Sequence, residues 1–140
     1  MIMKKIILSA SILVIAVFTQ SFKQTTSSVQ NGKQVYEANC MSCHQEQGEG
    51  ITGAFPSLAK TGNLSDKNRL VKIILQGMRG PITAKGVKYD GEMASISLTD
   101  KETADVINYI RNSWGNKAAM ISVANVAAAK KAVVKGYQPY

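Results

Sequence analysis

The 140-residue chain contains only two cysteines and one histidine. With no third Cys and no second His, the four ligands of a structural zinc site cannot be assembled. Aromatic residues make up 6% of the composition, so side chains alone would build a thin core. Without its leader the chain is near the size at which a core is marginal unless something reinforces it, and its length allows one small domain. Acid is missing toward the end: no Asp or Glu follows Asp105, whereas Arg111, Lys117, Lys130, Lys131 and Lys135 do. The longest apolar run, Ile6 to Phe18, is interrupted by Ser9 and Ser11 and falls short of the roughly 20 apolar residues that a transmembrane helix needs. There is no internal repeat and no strand-like alternation.

What the chain does have is Cys40-Met41-Ser42-Cys43-His44. C-x-x-C-H is the attachment signature of c-type haem. Two thiols three positions apart on one turn can each add to one vinyl group of the same porphyrin. The next residue, His44, is then held beneath the iron as an axial ligand. A thioredoxin-like C-x-x-C calls for a βαβ setting, and half of a zinc site calls for partners this chain lacks. One covalently bound haem c also supplies what the composition withholds, a large flat apolar body stapled to the chain.

The N-terminus has the layout of a leader. Lys4 and Lys5 precede the run from Ile6 to Phe18, and a polar stretch from Thr19 to Ser28 follows. Residues 1–23 therefore read as a signal peptide or, since no clean small-x-small cleavage site stands out, as an N-terminal anchor. Residues 24–29 read as linker, and the protein is expected to be periplasmic or otherwise extracytoplasmic. Of its 17 Lys and Arg, Lys4, Lys5 and Lys23 belong with the leader, which leaves 14 against 9 acidic residues. An exported haem chain has little access to nucleic acid. The excess charge suits an acidic redox partner or an anionic membrane surface instead.

Helices separated by long, Gly-rich loops account for the rest. The first is expected from Gln30 to Asn39, delivering Cys40 at its end. Gln45 to Asn63 reads as loop. A second helix runs from an N-cap at Ser65 to a stop at Gly77, with Leu70, Val71, Ile73, Ile74 and Leu75 at helical spacing. Met78 to Leu98 loses the pattern. Thr99-Asp100-Lys101-Glu102 is a capping box opening a helix whose Ala104, Ile107, Ile110 and Trp114 share a face, ended by Gly115-Asn116. Val123 to Val134 is an Ala-rich surface helix, and Gly136 to Tyr140 reads as a frayed end.

This order resembles class I cytochromes c over roughly Gln30 to Asn116. Gly32 and Tyr36 resemble that family's first helix, and Tyr109 its aromatic crossing partner. Phe55-Pro56-Ser57-Leu58 is similar to the segment whose Pro carbonyl accepts a hydrogen bond from the proximal His. Tyr89-Asp90-Gly91-Glu92-Met93 resembles the distal ligand loop, although Ala94 stands where much of the family has Pro. Ile107 to Asn116 with a short helix after it resembles single-haem domains fused to or partnered with periplasmic oxidoreductases and copper nitrite reductases. The resemblance implies an all-α cytochrome c fold wrapped around one haem, with residues 30–116 as the domain and 117–140 as an added basic helix and tail.

Chemistry points to the sixth ligand as well, since a soft thioether suits haem iron and raises its potential. Of the candidates, Met41 lies between the two thioether positions, Met78 directly follows a helix stop and Met120 lies past the last core helix. Met93 sits in a long inter-helix loop, free to swing over the other porphyrin face. By resemblance the Pro56 carbonyl accepts from His44, and Arg79, Tyr89 and Trp114 are candidates for the propionates. The expected function is one-electron transfer between a donor and an acceptor by a monomeric carrier that is not an enzyme. Two alternatives stand beside it: a haem enzyme or gas sensor with an open distal site, and a fixed haem subunit of a larger oxidoreductase.

Overall fold

The computed structural model describes residues 27–140; the expected leader and residues 24–26 lie outside them. A helix over 27–39 (α1), which takes in residues 27–29 expected as linker and so starts before Gln30, leads into the single turn Met41–His44 (α2). A 3-10 turn at Gly62–Leu64 precedes Lys67–Gln76 (α3), then the strands Ile82–Ala84 (β1) and Val87–Tyr89 (β2), then Asp100–Ile110 (α4) and Val123–Lys131 (α5). The class is all-α apart from the two-stranded antiparallel hairpin. Among the described residues no helix is long and apolar enough to cross a membrane.

Local chemistry sets each boundary. Asp66, not the expected Ser65, caps α3, its carboxylate accepting from the Asn68 and Arg69 N–H groups at 2.9 and 3.1 Å. A carboxylate at that end meets free N–H groups and the positive end of the helix dipole. Gly77, with φ 68°, stops the helix as expected. The Thr99–Glu102 capping box forms in both directions.

Helix α4 ends at Ile110 rather than running on to Trp114, which takes a left-handed φ of 53°. The Asn116 amide donates to the Ile110 carbonyl at 2.8 Å, closing the helix end, and the chain turn sends the Trp114 ring onto Tyr36 and Tyr109, with centroids 5.0 and 5.2 Å away. Helix α5 also stops early, because beyond Val126 and Ala129 it has little more to bury and Val133 is fully exposed.

The hairpin corrects the reading of Met78 to Leu98 as pattern-free. Ala84 pairs with Val87 across Lys85-Gly86, whose φ values of 50° and 80° are those of a tight two-residue hairpin turn. Strands of three residues are too short to display alternation.

Helices α1, α3, α4 and α5 enclose a core of Tyr36, Val71, Ile74, Val106, Ile107 and Val126. At the α1–α4 crossing, a Cβ on Gly32 would overlap the Asp105 carbonyl and come within 2.8 Å of the Tyr109 Cβ. Gly32→Ala is therefore expected to force the two helices apart. Overpacking against backbone outweighs the gain in helix propensity, with a net loss of about 2 kcal/mol that thermal unfolding of the holoprotein would register. Beside this crossing the buried Asn108 amide bonds both backbone groups of Ile121, donating to its carbonyl at 2.9 Å and accepting from its N–H at 2.7 Å. That pair fastens the segment leading to α5 onto α4.

Candidate functional site

The end of α1 and the turn of α2 make one corner. The Cys40 N–H donates to the Tyr36 carbonyl at 2.8 Å and the His44 N–H to the Cys40 carbonyl at 2.9 Å, so Cys40, Cys43 and His44 follow one continuous backbone turn. Gln45, at φ 63°, breaks the helix, and the Tyr36 hydroxyl donates to its carbonyl at 2.6 Å. The returning loop is fastened by Gly48, whose carbonyl accepts from the Leu58 and Ala59 N–H groups at 2.7 and 3.0 Å. This fastening brings the Pro56 carbonyl within 3.0 Å of His44 Nδ1.

A carbonyl can only accept, so Nδ1 carries the proton and Nε2 keeps its lone pair. Burial pushes the imidazole below its ordinary value, against the opposing pull of the Pro56 carbonyl, and His44 is held neutral. Burial likewise pushes the Cys40 thiol up to about 11, so the folded chain disfavours its thiolate. An uncharged thioether carries no such cost.

The second wall comes from α3 and the loop beyond the hairpin. Met78 and Met93 pair antiparallel and exchange N–H to carbonyl hydrogen bonds of 2.8 Å in each direction. Directly opposed residues of such a pair project to the same side, and both thioethers enter one cavity. That cavity, of about 350 Å³, is lined by Cys40, Cys43, His44, Phe55, Pro56, Met78, Ile82, Tyr89, Met93 and Ile96, among others. An adjoining lobe of about 100 Å³ runs between α3 and α4 along Leu70, Ile73, Ile74, Ile107 and Ile110.

The structure thus gathers Cys40, Cys43, His44, Pro56, Tyr89 and Met93 around one space. Arg79 is not part of the lining; its side chain is exposed. Trp114 also stands outside, stacked with the two tyrosines. Met120 accepts from the Asn112 amide at 3.6 Å and faces elsewhere. Met78, ranked behind Met93 on sequence because it directly follows the helix stop, is buried in the same lining.

The fit to a haem follows from the donors. Among the described residues no three His, Cys, Asp or Glu side chains gather to hold a bare ion. Two unpaired thiols, one imidazole nitrogen and two thioethers instead border one largely apolar space, a donor set that suits haem iron and its covalent attachment. The C-x-x-C pair follows a helix with no βαβ unit around it, unlike a thioredoxin-type site.

Comparison with known proteins agrees. The cytochrome c family profile matches residues 29–114. Cytochrome c-552 of Thermus thermophilus is 38% identical over 118 residues, covering 79% of this chain and 77% of the relative. The gluconate 2-dehydrogenase cytochrome c subunit of Pantoea cypripedii is 33% identical, covering 73% of this chain and 24% of that subunit. The quinone alcohol dehydrogenase cytochrome c subunit of Gluconacetobacter polyoxogenes is 38% identical, covering 62% and 19%. Profile, relatives and donor set agree: this chain belongs to the cytochrome c family and is a one-electron carrier holding covalently bound haem c.

Proposed function

We propose that the protein passes single electrons between two larger redox proteins outside the cytoplasm, as a monomer, with Cys40 and Cys43 as thioether anchors, His44 as proximal ligand and Met93 as distal ligand. The haem, when bound, supplies the Fe(III)/Fe(II) couple. The chain's residues do the rest. Pro56 orients the imidazole through Nδ1, which leaves Nε2 for the iron. Ile82, Ile96 and the apolar lobe exclude water, and the buried Tyr89 belongs to the same lining.

The observation that carries this reading is the imidazole and two thioethers bordering one cavity. Two axial donors fill the coordination sphere, and a carrier needs nothing to bind or leave. Met78 is almost wholly buried, against the inner end of α3, whereas Met93 is half-buried on the loop that resembles the family's ligand loop. The leader pattern over residues 1–23 supports export.

Exposed Met41 and Ile51, 37% and 45% accessible, flank the lining near Cys43 and Phe55 and form an apolar rim suited to a small, transient contact. Lys67, Lys72, Lys131 and Lys135 give the α3–α5 side a positive field that attracts acidic partners or an anionic membrane surface, while Lys130 is paired with Asp100.

The test is ferrous protein mixed with carbon monoxide at neutral pH. On mixing, the spectrum is expected to stay unchanged at first and uptake to follow only slowly, at the rate the sixth position opens; rapid binding would overturn the carrier reading in favour of an open-site haem enzyme or gas sensor. The dehydrogenase relatives, which are named as cytochrome c subunits, favour a second reading in which the chain is a fixed haem subunit. In that case it would purify in stoichiometric complex with a dehydrogenase rather than alone.

A further inference from the structure

The segment 76–79 is held from both sides. On one side Met78 exchanges both backbone hydrogen bonds with Met93. On the other, the Arg79 N–H donates to the Gln138 carbonyl at 3.2 Å and the Tyr140 N–H to the Gln76 carbonyl at 3.3 Å. The two tail contacts run in opposite chain directions, Gln76 to Tyr140 and Arg79 to Gln138. The Tyr137 hydroxyl lies 2.6 Å from the Gly77 carbonyl and 3.0 Å from that of Lys72, serving carbonyls at the end of α3.

Gly77 stands between the two flanking segments. A Cβ there would overlap the Met93 carbonyl and come within 2.5 Å of the Tyr140 Cβ. Residues 136–140 are therefore docked, contrary to the frayed end expected from sequence.

The loop carrying Met93 has little else to hold it. From Asp90 to Leu98 it contains Gly91 and no proline, so no ring fixes its backbone φ. Apart from the Met78 pairing, its one backbone tie to α3 is the Ile96 N–H to the Ile74 carbonyl at 2.8 Å.

We propose that residues 137–140 position the distal loop: by bracing 76–79 against α3 they hold Met93, through its pairing with Met78, over the cavity. The tail then sets how often the sixth coordination position opens. The inference rests on the reading of Met93 as distal ligand.

Four holoproteins test it: a chain stopped after Lys135, Tyr137→Phe, Asp100→Ala and Met93→Ala. The measurements are the rate of carbon monoxide uptake by ferrous protein at 25 °C and the thermal midpoint. Tyr137→Phe is expected to speed uptake about three- to tenfold, the loss of one well-made hydrogen bond, and the stopped chain more, approaching Met93→Ala. Asp100→Ala removes the Lys130–Asp100 ion pair between α5 and α4 and is expected to lower the midpoint slightly with no change in uptake. A purely structural tail would move the midpoint alone.

Fast uptake by Met93→Ala together with wild-type uptake by Tyr137→Phe and the stopped chain overturns the positioning role and leaves Met93 as ligand. Unchanged uptake by Met93→Ala overturns the ligand assignment, and the positioning role falls with it. Tyr137→Phe removes only a hydroxyl, so it decides the question even if the stopped chain fails to incorporate haem.

Discussion

Met93→Ala is expected to abolish the weak charge-transfer band near the red end of the ferric spectrum, lower the reduction potential and open the ferrous iron to carbon monoxide. Losing a soft sulfur that favours ferrous iron stabilises the ferric state. The drop should be on the order of 0.1 V or more, within the roughly 0.8 V span that axial ligands command. Met120→Ala, remote from the cavity, should change none of these. Met78 sets the sharper comparison, because its thioether enters the same space from the opposing backbone position. Met78→Ala is expected to keep the band. Retention of the band in Met93→Ala with its loss in Met78→Ala would transfer the assignment to Met78.

Replacing both Cys40 and Cys43 by Ser is expected to turn a haem that survives denaturation and acid-acetone extraction into one that leaves quantitatively. Two thioether bonds are covalent, whereas axial ligation by His and Met is lost when the fold is. The fold should suffer as well, because Tyr36, Tyr109 and Trp114 pack on one another outside the lining, and Phe55 and Tyr89 are the only aromatic side chains among the described residues that border the cavity, so a covalently held haem supplies most of what fills it. A large loss of thermal stability in the double variant, together with extractable haem, is the outcome that fits. Extractable haem from the unaltered protein would sink the attachment chemistry outright.

Five consecutive residues, Cys40 to His44, were enough to name the cofactor and its attachment, because thioether geometry demands that spacing whatever the surrounding fold. The start of α4 and the stop of α3 were legible because their signals are local: Thr99 and Glu102 satisfy free N–H groups within four residues, and Gly77 reaches a left-handed φ that few others accept. Features that depend on distant parts of the chain were not.

The end of α4 at Ile110 was settled by Asn116 and by the packing of Trp114 onto Tyr36 of α1 and Tyr109 of α4 itself. The Lys85-Gly86 hairpin lay below the length at which alternation shows. Arg79 carries a charge suited to a propionate, but its place beside Gln138 depends on a pairing that no local pattern encodes.

The pairing of Met78 with Met93 and the docking of Tyr137 onto α3 join residues up to 65 positions apart, and no local pattern encodes them. Sequence alone determined which atoms can bond to a haem, since that is a property of side-chain types and short spacings. Which of two methionines stands where, and what holds it there, was decided by backbone hydrogen bonds that exist only once the chain has closed on itself.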